Sequence, residues 1–453
     1  MAQEQLWAKD LPLDQAIHRF TVGEDPSLDL ELYPHDCVAS AAHARMLCRV
    51  GLLSEADTQQ LVSALKRQYQ LSLTNQIRID PLQEDCHTAI EAGLTEQLGE
   101  VGKRIHLGRS RNDQVMVALR LWCRSQYLNL GWRIVKLARV LIAFGRRHAE
   151  LPLPGYTHMR RAMPSTYGMW ALGFAEGLLE ELEAGEGLYR RLDRCPLGAA
   201  AGFGVPLPID RAFTAQLLGF TRVQRSPVDV MNSRGRHEQA LLDWLVSSAA
   251  TWEKLLWDLV IYSTEEFGYI KLPEAFTTGS SIMPNKRNPD VVEIARAKCR
   301  ELRGISEMHR QIMTGLPSSY HRDFQLGKAP LLAGVKLAET LLGVMTRLVP
   351  VLQPDAARAQ AAHTDELYAA HAAYQLVAEG LAFREAYKVT SAQLSDGSFK
   401  PDRDKLKATH IGGAGDLQIE QIENELLRRE QLLVSRTRQD MQMREDIWIL
   451  EGA

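Results

Sequence analysis

The sequence lacks the features that mark several protein classes. Its six cysteines are scattered without a Cys-x-x-Cys pair: Cys37, Cys48, Cys86, Cys123, Cys195 and Cys299. Free thiols in a reducing compartment are therefore favoured over a zinc site or a disulfide framework. No apolar run reaches the roughly 18 residues that a membrane span needs. The first residues show no basic region followed by an apolar stretch, so we expect neither a membrane span nor a secretory signal.

The sequence also lacks the charge blocks and motifs that are typical of proteins binding nucleic acids, metals or nucleotides. The 453 residues include 53 Lys and Arg against 56 Asp and Glu, a formal net charge of -3. Because no basic block is present, a nucleic-acid partner is not expected. The sequence has no His-Glu-x-x-His motif, no Cys/His cluster with metal-ligand spacing and no glycine-rich phosphate loop. We therefore expect no metal and no nucleotide cofactor.

Helical periodicity dominates the chain, and alternating strand patterns are nearly absent. The clearest helix covers 242–262, where apolar residues recur at spacings of three and four. Further helices are predicted at 33–69, 84–98, 114–150, 166–192, 291–314 and 329–352. Apolar seams on helices of this length favour near-parallel packing. We predict an all-α protein with an N-terminal mostly helical domain (1–107), a central long-helix bundle (108–358) and a small C-terminal helical domain (359–453).

One loop between two long helices is rich in hydrogen-bond donors. It covers 277–290 and reads Thr-Thr-Gly-Ser-Ser-Ile-Met-Pro-Asn-Lys-Arg-Asn-Pro-Asp. Gly279, Pro284 and Pro289 prevent a continuous helix here. The hydroxyl, lysine, arginine and asparagine side chains between them suit a mobile loop that closes over an anion. An ordinary surface turn is the alternative.

Four polar islands interrupt the long helices, at 106–114, 155–164, 277–290 and 320–328. Their side chains are mostly cations and amide or hydroxyl donors: His106, Arg109, Arg111, Asn112, Thr157, His158, Ser280, Lys286, Asn288, Tyr320, Arg322, Gln325 and Lys328. Loops held by a rigid bundle often carry function. Because few carboxylates are present, we expect a site for a small molecule bearing several carboxylates, with histidines moving protons. Salt-bridged turns, a core histidine or helix caps would explain individual members equally well.

The loop 279–289 resembles the signature Gly-Ser-Ser-x-Met-Pro-x-Lys-x-Asn-Pro of the fumarase/aspartase superfamily. Other segments resemble one family within it, the argininosuccinate lyases. These segments are Glu-Asp-Cys-His at 84–87, Gly-Arg-Ser-Arg-Asn-Asp-Gln-Val at 108–115, Pro-Gly-Tyr-Thr-His at 154–158, Cys-Pro-Leu-Gly-Ala-Ala at 195–200, Ile-Asp-Arg at 209–211, the triplet Tyr320, Gln325 and Lys328, and Ala-Tyr-Lys at 386–388. The similarity spans roughly residues 20–390, and about the last sixty residues match poorly.

The resemblance implies a fold, an assembly and a reaction. The fold is the three-domain, all-α fumarase/aspartase-like fold, whose central helices form a twenty-helix core in a homotetramer. Each active site in this family collects loops from three subunits. The reaction is the reversible cleavage of argininosuccinate to arginine and fumarate, the last step of arginine synthesis. We expect no cofactor, and we expect a cytoplasmic enzyme without nucleic-acid or membrane partners.

The resemblance also implies residue roles in the β-elimination. Ser280 matches the family's proposed base for the carbon proton, and His158 matches the histidine assigned to the acid/base pair. Because a serine is a poor base, it needs an adjacent charge or oriented amides. Substrate binding is implied for Arg111, Asn112, Thr157, Lys286, Asn288, Tyr320, Gln325 and Lys328. Further candidates are Ser27, His87, His106, Ser110 and Ser281, and no metal ligands are implied.

Three departures from the family pattern bear on the substrate. Leu107 stands where the family usually has Thr or Ser, and Met-Arg-Arg-Ala-Met-Pro at 159–164 replaces the commoner Leu-Gln-Arg-Ala-Gln-Pro. The family's Asp-Arg pair has no ungapped match near Arg234 and Arg236. The alternatives are a related lyase for another aminosuccinate-type substrate, a crystallin-like structural protein and a polycarboxylate-binding module.

Overall fold

A computed structural model describes residues 14–450 of the chain. The predicted absence of a secretory signal concerns the first thirteen residues and lies outside this range. Seventeen α-helices lie within the described residues: α1 (Gln15–Val22), α2 (Asp25–Leu28), α3 (Tyr33–Arg49), α4 (Glu55–Leu73), α5 (Cys86–Leu98), α6 (Glu100–Lys103), α7 (Arg111–Arg147), α8 (Tyr167–Leu192), α9 (Arg211–Leu217), α10 (Pro227–Asn232), α11 (Arg236–Tyr262), α12 (Asp290–Met313), α13 (Lys328–Leu348), α14 (Ala356–Ala362), α15 (Ala369–Ala378), α16 (Phe383–Asp396) and α17 (Ile419–Asp446).

Small two-stranded sheets accompany the helices. The strands are β1 (Pro152–Thr157) antiparallel to β2 (Arg160–Thr166), β3 (Arg194–Cys195) parallel to β4 (Arg222–Val223), β5 (Ile270–Lys271) antiparallel to β8 (Gln353–Pro354), and β6 (Thr278–Gly279) antiparallel to β7 (Arg287–Asn288). The all-α class predicted from the sequence is confirmed. The β1–β2 hairpin was not predicted, because Pro152, Pro154 and Pro164 obscure its strand pattern.

Five long helices, α7, α8, α11, α12 and α13, form the centre of the molecule. α7 packs against α3, α8, α13 and α17, and α12 packs against both α11 and α13. Side chains such as Leu121, Leu245, Trp252 and Leu341 belong to one continuous buried core. α7 alone has 37 residues, which span about 55 Å at the α-helical rise. The predicted long-helix bundle is therefore confirmed, and it holds loops at two well-separated ends.

Two of the central helices begin earlier than predicted. α7 begins at Arg111 rather than 114, because Ser110 and Asp113 form a capping box at its start. α11 begins at Arg236 rather than 242. The φ of 81° at Gly235 turns the chain sharply just before this helix, a conformation that glycine adopts readily. Both starts bring charged side chains to the same end of the bundle.

The last helix returns to the bundle. α17 packs along α7 and α8, and its side chains Leu433 and Met443 are buried. Its end also joins α3, since the Arg45 guanidinium donates to the carbonyls of Asp446 and Ile447. α17 therefore links three parts of the described chain, and the division into three domains remains a prediction.

One helical stretch, 322–351, is long and apolar enough to span a membrane by length and composition alone. It includes α13, and half of its apolar window is buried inside the molecule. α13 packs against α7, α11 and α12. Its apolar side chains therefore contribute to the core of the bundle.

Candidate active site

A polar cleft of about 140 Å³ opens at the end of the bundle where α7 and α13 begin. Five separate parts of the chain supply its lining: Asp25, Asp29, Glu84, Asp85, His87, Arg111, Asn112, Val115, Arg234, Tyr320, Arg322, Gln325 and Lys328. Six residues predicted for the site thus converge here: His87, Arg111, Asn112, Tyr320, Gln325 and Lys328.

A capping network fixes the start of α7 at the cleft. The Ser110 hydroxyl accepts a backbone N–H of the first turn, and the Asp113 carboxylate accepts the N–H of Ser110 at 2.9 Å. The second Asp113 oxygen accepts the N–H groups of Gly198 and Ala200 at 3.0 and 2.8 Å. Burial raises the pKa of Asp113 to about 6, although these backbone donors oppose the shift. Ser110 and Asp113 therefore position Arg111 without entering the cleft lining.

Arg111 is held by two carboxylates. Its Nε donates to Asp85 at 2.8 Å, and its Nη2 donates to Glu84 at 2.9 Å and also to Asp85. Burial alone would lower the pKa of Arg111, but the Asp85 and Glu84 carboxylates outweigh burial and raise it. The guanidinium is thus a permanent positive charge with a fixed orientation.

Lys328, the first residue of α13, is buried between two further carboxylates. Its ammonium donates to Asp29 at 2.6 Å and lies 2.8 Å from an Asp25 oxygen. Burial would lower the pKa of Lys328, but the attraction of Asp29 and Asp25 raises it. Burial raises the pKa of Asp25 to about 6, against the opposing effect of Lys328. A ligand carboxylate that approaches Lys328 therefore competes with two internal partners.

Gln325 and Tyr320 form another wall of the cleft. The Gln325 amide nitrogen donates to the carbonyls of Thr21 and Val22 at 3.2 and 2.8 Å, which ties the end of α1 to the site. Tyr320 is half-buried, and its ring centre lies 6.2 Å from that of Phe324. These contacts orient both side chains before any ligand binds.

The structure separates the two arginines that the sequence left ambiguous. Arg236 pairs with Asp229 on the surface at 2.9 Å. Arg234 is only 6% exposed and lines the cleft, where its guanidinium makes a long 3.4 Å hydrogen bond to the Phe324 carbonyl. No carboxylate within residues 14–450 forms an ion pair with Arg234, so it offers the cleft a buried cation.

His87 joins a buried polar cluster at the base of the cleft. Its Nδ1 lies 2.8 Å from Asp36, and its pKa is raised because this carboxylate outweighs the effect of burial. Donor atoms of Asp29, Cys86 and His87 lie within 4.8 Å of one another, a grouping that the sequence spacing does not predict. Burial raises the pKa of the Cys86 thiol, and Asp29 is already paired with Lys328. The cluster thus resembles an internal ion-pair network more than a cation site.

The prediction of a site with few carboxylates is wrong for this cleft. Asp25, Asp29, Glu84 and Asp85 all line it. These residues lie outside the four polar islands and reach the cleft because the N-terminal helices fold against the start of α7. The Glu-Asp-x-His pattern at 84–87 was a usable signal for Glu84 and Asp85. Nothing in the local sequence singles out Asp25 in α2 or Asp29 in the turn that follows it.

Thr157 and His158 lie at the tip of the β1–β2 hairpin. Thr157 pairs with Arg160, so His158 and Met159 form a two-residue turn with φ values of 51° and 58°. Such tight turns need positive φ at both positions and usually contain Asn-Gly. Two bulky residues there carry backbone strain, which often accompanies function. The side chains of His158 and Met159 are both exposed.

Residues 280–286, here called the lid loop, connect β6 to β7. The Ser280 Oγ accepts the backbone N–H groups of Ile282 and Met283 at 3.3 and 3.1 Å. Two amide dipoles aimed at this oxygen favour negative charge on it. The lid loop is otherwise solvent-exposed, including the ammonium of Lys286, while Asn288 in β7 is half-buried.

A single chain does not bring all the predicted residues together. His158 follows the end of α7, about 55 Å of helix from Arg111. The lid loop follows α11, whose 27 residues lead about 40 Å away from Arg234. A hydrogen bond of 2.6 Å between the hydroxyls of Tyr156 and Tyr269 joins the hairpin to the chain before the lid loop. The predicted residues at this opposite end are Thr157, His158, Ser280, Ser281, Lys286 and Asn288.

Two other predicted residues lie outside the cleft lining. The Ser27 side chain is exposed, and its hydroxyl donates to the Glu24 carbonyl at 2.8 Å. His106 is half-buried, and its Nδ1 lies 3.1 Å from a Glu91 oxygen. Leu107, the departure beside it, is 39% exposed.

Comparison with known proteins finds close relatives. The family model described as Lyase matches residues 12–304. Argininosuccinate lyase of Sorangium cellulosum (strain So ce56) is 42% identical over 424 residues, which cover 93% of this chain and 98% of that protein. Argininosuccinate lyase of Thermotoga neapolitana is 38% identical over 388 residues, covering 86% of this chain and 98% of the relative.

Solved structures share the fold at low sequence identity. EDDS lyase in complex with formate has a TM-score of 0.80 at 21% identity, covering 96% of this chain and 95% of that one. Recombinant class II fumarase from Schistosoma mansoni has a TM-score of 0.70 at 16% identity, covering 85% and 91% of the two chains. These structures share the overall fold of this chain.

Proposed function

The chain belongs to the argininosuccinate lyase family of the fumarase/aspartase superfamily, and on this premise we propose that it cleaves argininosuccinate to arginine and fumarate by β-elimination. The observation that carries this proposal is the identity to argininosuccinate lyases along nearly the whole chain. The cation-rich cleft agrees with it, because the substrate bears several carboxylates. We further propose that the enzyme acts in the cytoplasm.

The active enzyme is a homotetramer whose sites are shared between chains. The support is the distance between the two halves of the machinery, which the length of α7 keeps about 55 Å apart. Only another copy can bring an exposed hairpin tip and lid loop to the cleft. Closed symmetric assemblies are the usual solution for such complementary surfaces.

Ser280 removes the proton from the carbon that lies beside a carboxylate and next to the carbon bearing the departing nitrogen. Its oxygen accepts two backbone N–H groups, which stabilise the alkoxide form that a serine base requires. Closure of the lid loop brings Lys286 and Asn288 to the aci-carboxylate that develops on the substrate. Preorganised donors in a closed site stabilise that charge far better than water does.

His158 completes the acid/base pair and protonates the leaving nitrogen, directly or through water. The strained turn supports this role, because it holds the imidazole at the outermost point of the hairpin. Thr157 beside it binds the substrate. The chemistry also permits the reverse assignment, with His158 as base and Ser280 as acid.

The cleft binds the substrate's carboxylates and its amino-acid arm. Arg111 and Asn112 hold a carboxylate at the start of α7, where the helix dipole adds to the attraction. Tyr320, Gln325 and Lys328 position the substrate's arms. The buried Asp25 and Asp29 give the same wall a negative component suited to an ammonium group.

A second candidate is a lyase of this superfamily that acts on another aminosuccinate-type substrate. The observation that favours it is Leu107, whose apolar side chain replaces a hydroxyl beside the start of α7. A crystallin-like structural protein or a polycarboxylate-binding module would retain the cleft and release no product.

The test is to incubate the purified tetramer with argininosuccinate and to follow the ultraviolet absorbance of fumarate. The wild-type protein should release fumarate, and the Ser280→Ala variant should lose at least about a thousandfold in kcat. Substrate affinity and assembly of the variant should remain close to wild type. No fumarate from folded, tetrameric wild-type protein would refute the function, and substantial turnover by Ser280→Ala would refute the role of the serine.

A further inference from the structure

Glu84 adopts a backbone conformation that glutamate rarely occupies. Its φ is 67° and its ψ is -45°, in the half of conformational space that favours glycine. Strain of this kind persists where the surrounding structure fixes it, and it collects at functional sites. The contacts of the Glu84 side chain therefore bear on the function of the cleft.

The Glu84 carboxylate is buried among basic side chains from three segments. Glu84 is 6% exposed, and its Oε2 accepts from Arg111 Nη2 at 2.9 Å. The same oxygen lies 3.9 Å from a guanidinium nitrogen of Arg322, and Oε1 lies 3.8 Å from His18 Nδ1. The carboxylate thus joins α1, the start of α7 and the turn before α13.

The hydrogen bonds of Arg111 show what this carboxylate achieves. A guanidinium has five N–H groups. Those on Nε and Nη2 point to Asp85 and Glu84. No acceptor within residues 14–450 bonds to Nη1, although Arg111 lines the cleft. Both carboxylates therefore bind one edge of the guanidinium and leave Nη1 for a ligand.

Glu84 and Asp85 differ in what else they do. Asp85 is the N-cap of α5, where its other oxygen accepts the N–H of Thr88 at 2.9 Å. The Glu84 side chain caps no helix, and its hydrogen bond within the described residues goes to Arg111. The hydrogen bond to Arg111 is therefore the main interaction that the strained backbone at Glu84 makes possible.

We propose that Glu84 is a positioning residue that fixes the Arg111 guanidinium so that Nη1 faces the carboxylate of the substrate. The proposal rests on the proposed function only for the identity of the substrate. Any ligand with a succinate-type pair of carboxylates would use the same Nη1 donors.

The experiment compares fumarate binding by titration calorimetry in three variants with wild-type protein. Glu84→Gln keeps the side-chain length and removes the charge, and Glu84→Gly suits the positive φ and should fold at least as well. Glu186→Gln is the matched control, because Glu186 also binds an arginine, Arg436, but lies away from the cleft. Both Glu84 variants should weaken fumarate binding about tenfold. The control should bind like wild type.

Kinetics with argininosuccinate supply the second measurement. Both Glu84 variants should raise KM about tenfold with kcat within about twofold, because a contact made equally in the ground state and the transition state contributes to KM and not to kcat. The proposal would be overturned if either Glu84→Gln or Glu84→Gly bound fumarate with the wild-type affinity. A wild-type protein that binds fumarate but releases none from argininosuccinate would refute the proposed function alone, and absence of fumarate binding by the wild type would refute both.

Discussion

At the residue scale, the cleft is organised by pairing each predicted cation with acids. Arg111 contacts Glu84 and Asp85, and Lys328 contacts Asp29 and Asp25. Unpaired buried charges would be costly, so these acids let the cations stay charged and fixed without a ligand. The same pairing reduces the net attraction for an anion. Specificity therefore depends on donors left free, such as Arg234 and Nη1 of Arg111.

A prediction at this scale concerns Asp113, whose buried carboxylate has a pKa raised to about 6. Its value in the unfolded chain is near 3.8, so the folded protein holds the proton more tightly between these two values. This group therefore makes folding more favourable as the pH falls from 7 to 5, by roughly 1 kcal/mol. Asp113→Asn removes this contribution because an amide does not titrate.

The measurement is the thermal midpoint of both proteins at pH 7 and pH 5, at one protein concentration. The midpoint of wild type minus that of Asp113→Asn should be larger at pH 5 than at pH 7. Taking this difference cancels the other titrating groups that the two proteins share. An equal difference at both pH values would mean that Asp113 titrates alike in the folded and unfolded states.

At the element scale, helices were predictable and the hairpin was not. The long amphipathic stripes of α7, α8 and α13 repeat over many turns, so each gives a strong periodic signal. β1 and β2 contain three prolines and a turn without the usual Asn-Gly, and β1 packs against α14 from a distant part of the chain. The hairpin is also where His158 lies, so the local rule fails at a candidate functional site.

The hairpin turn supports a matched pair of variants at Met159. Its φ of 58° suits glycine and is strongly disfavoured for a β-branched residue. Met159→Gly should keep kcat within about threefold and preserve the turn. Met159→Val should lower kcat more than about tenfold, because the turn must change and His158 then leaves its position.

Steady-state fumarate release by both variants checks this prediction. Circular dichroism and the thermal midpoint serve as controls, since an exposed hairpin tip should affect global stability little. Equal kcat values for the glycine and valine variants would show that the turn conformation does not set the position of His158.

At the scale of the whole molecule, the sequence indicated which loops matter but not how they meet. Polar islands between helices were visible locally, and six of their residues do converge in the cleft: Arg111, Asn112, Tyr320, Arg322, Gln325 and Lys328. Asp25 in α2 and Asp29 in the turn after it could not be found, because their approach to Lys328 depends on tertiary packing across some 300 residues of chain, from 29 to 328. Likewise, no local pattern reveals that α7 separates Arg111 from His158 by its full length.

That separation leads to a prediction about mixed assemblies of His158→Asn and Ser280→Ala chains. Each variant alone should be inactive, because every site contains the altered residue. If the hairpin and the lid loop at one site come from different chains, random mixing leaves both native at about a quarter of the sites, since each is native in half of the chains. Activity in the mixture should therefore recover to about a quarter of wild type.

The matched control mixes His158→Asn with His158→Gln, which share the altered position and should recover nothing. Subunit exchange must be followed independently, for example by mass spectrometry of tetramers that carry one tagged variant. If exchange is complete and the first mixture stays inactive, the hairpin and the lid loop at one site come from the same chain. The 55 Å length of α7 would then require only that the hairpin and the lid loop of one chain join the cleft of one other copy. A mixture of His158→Asn and Arg111→Ala chains tests this arrangement, because it recovers activity only if the hairpin and the cleft at one site come from different chains.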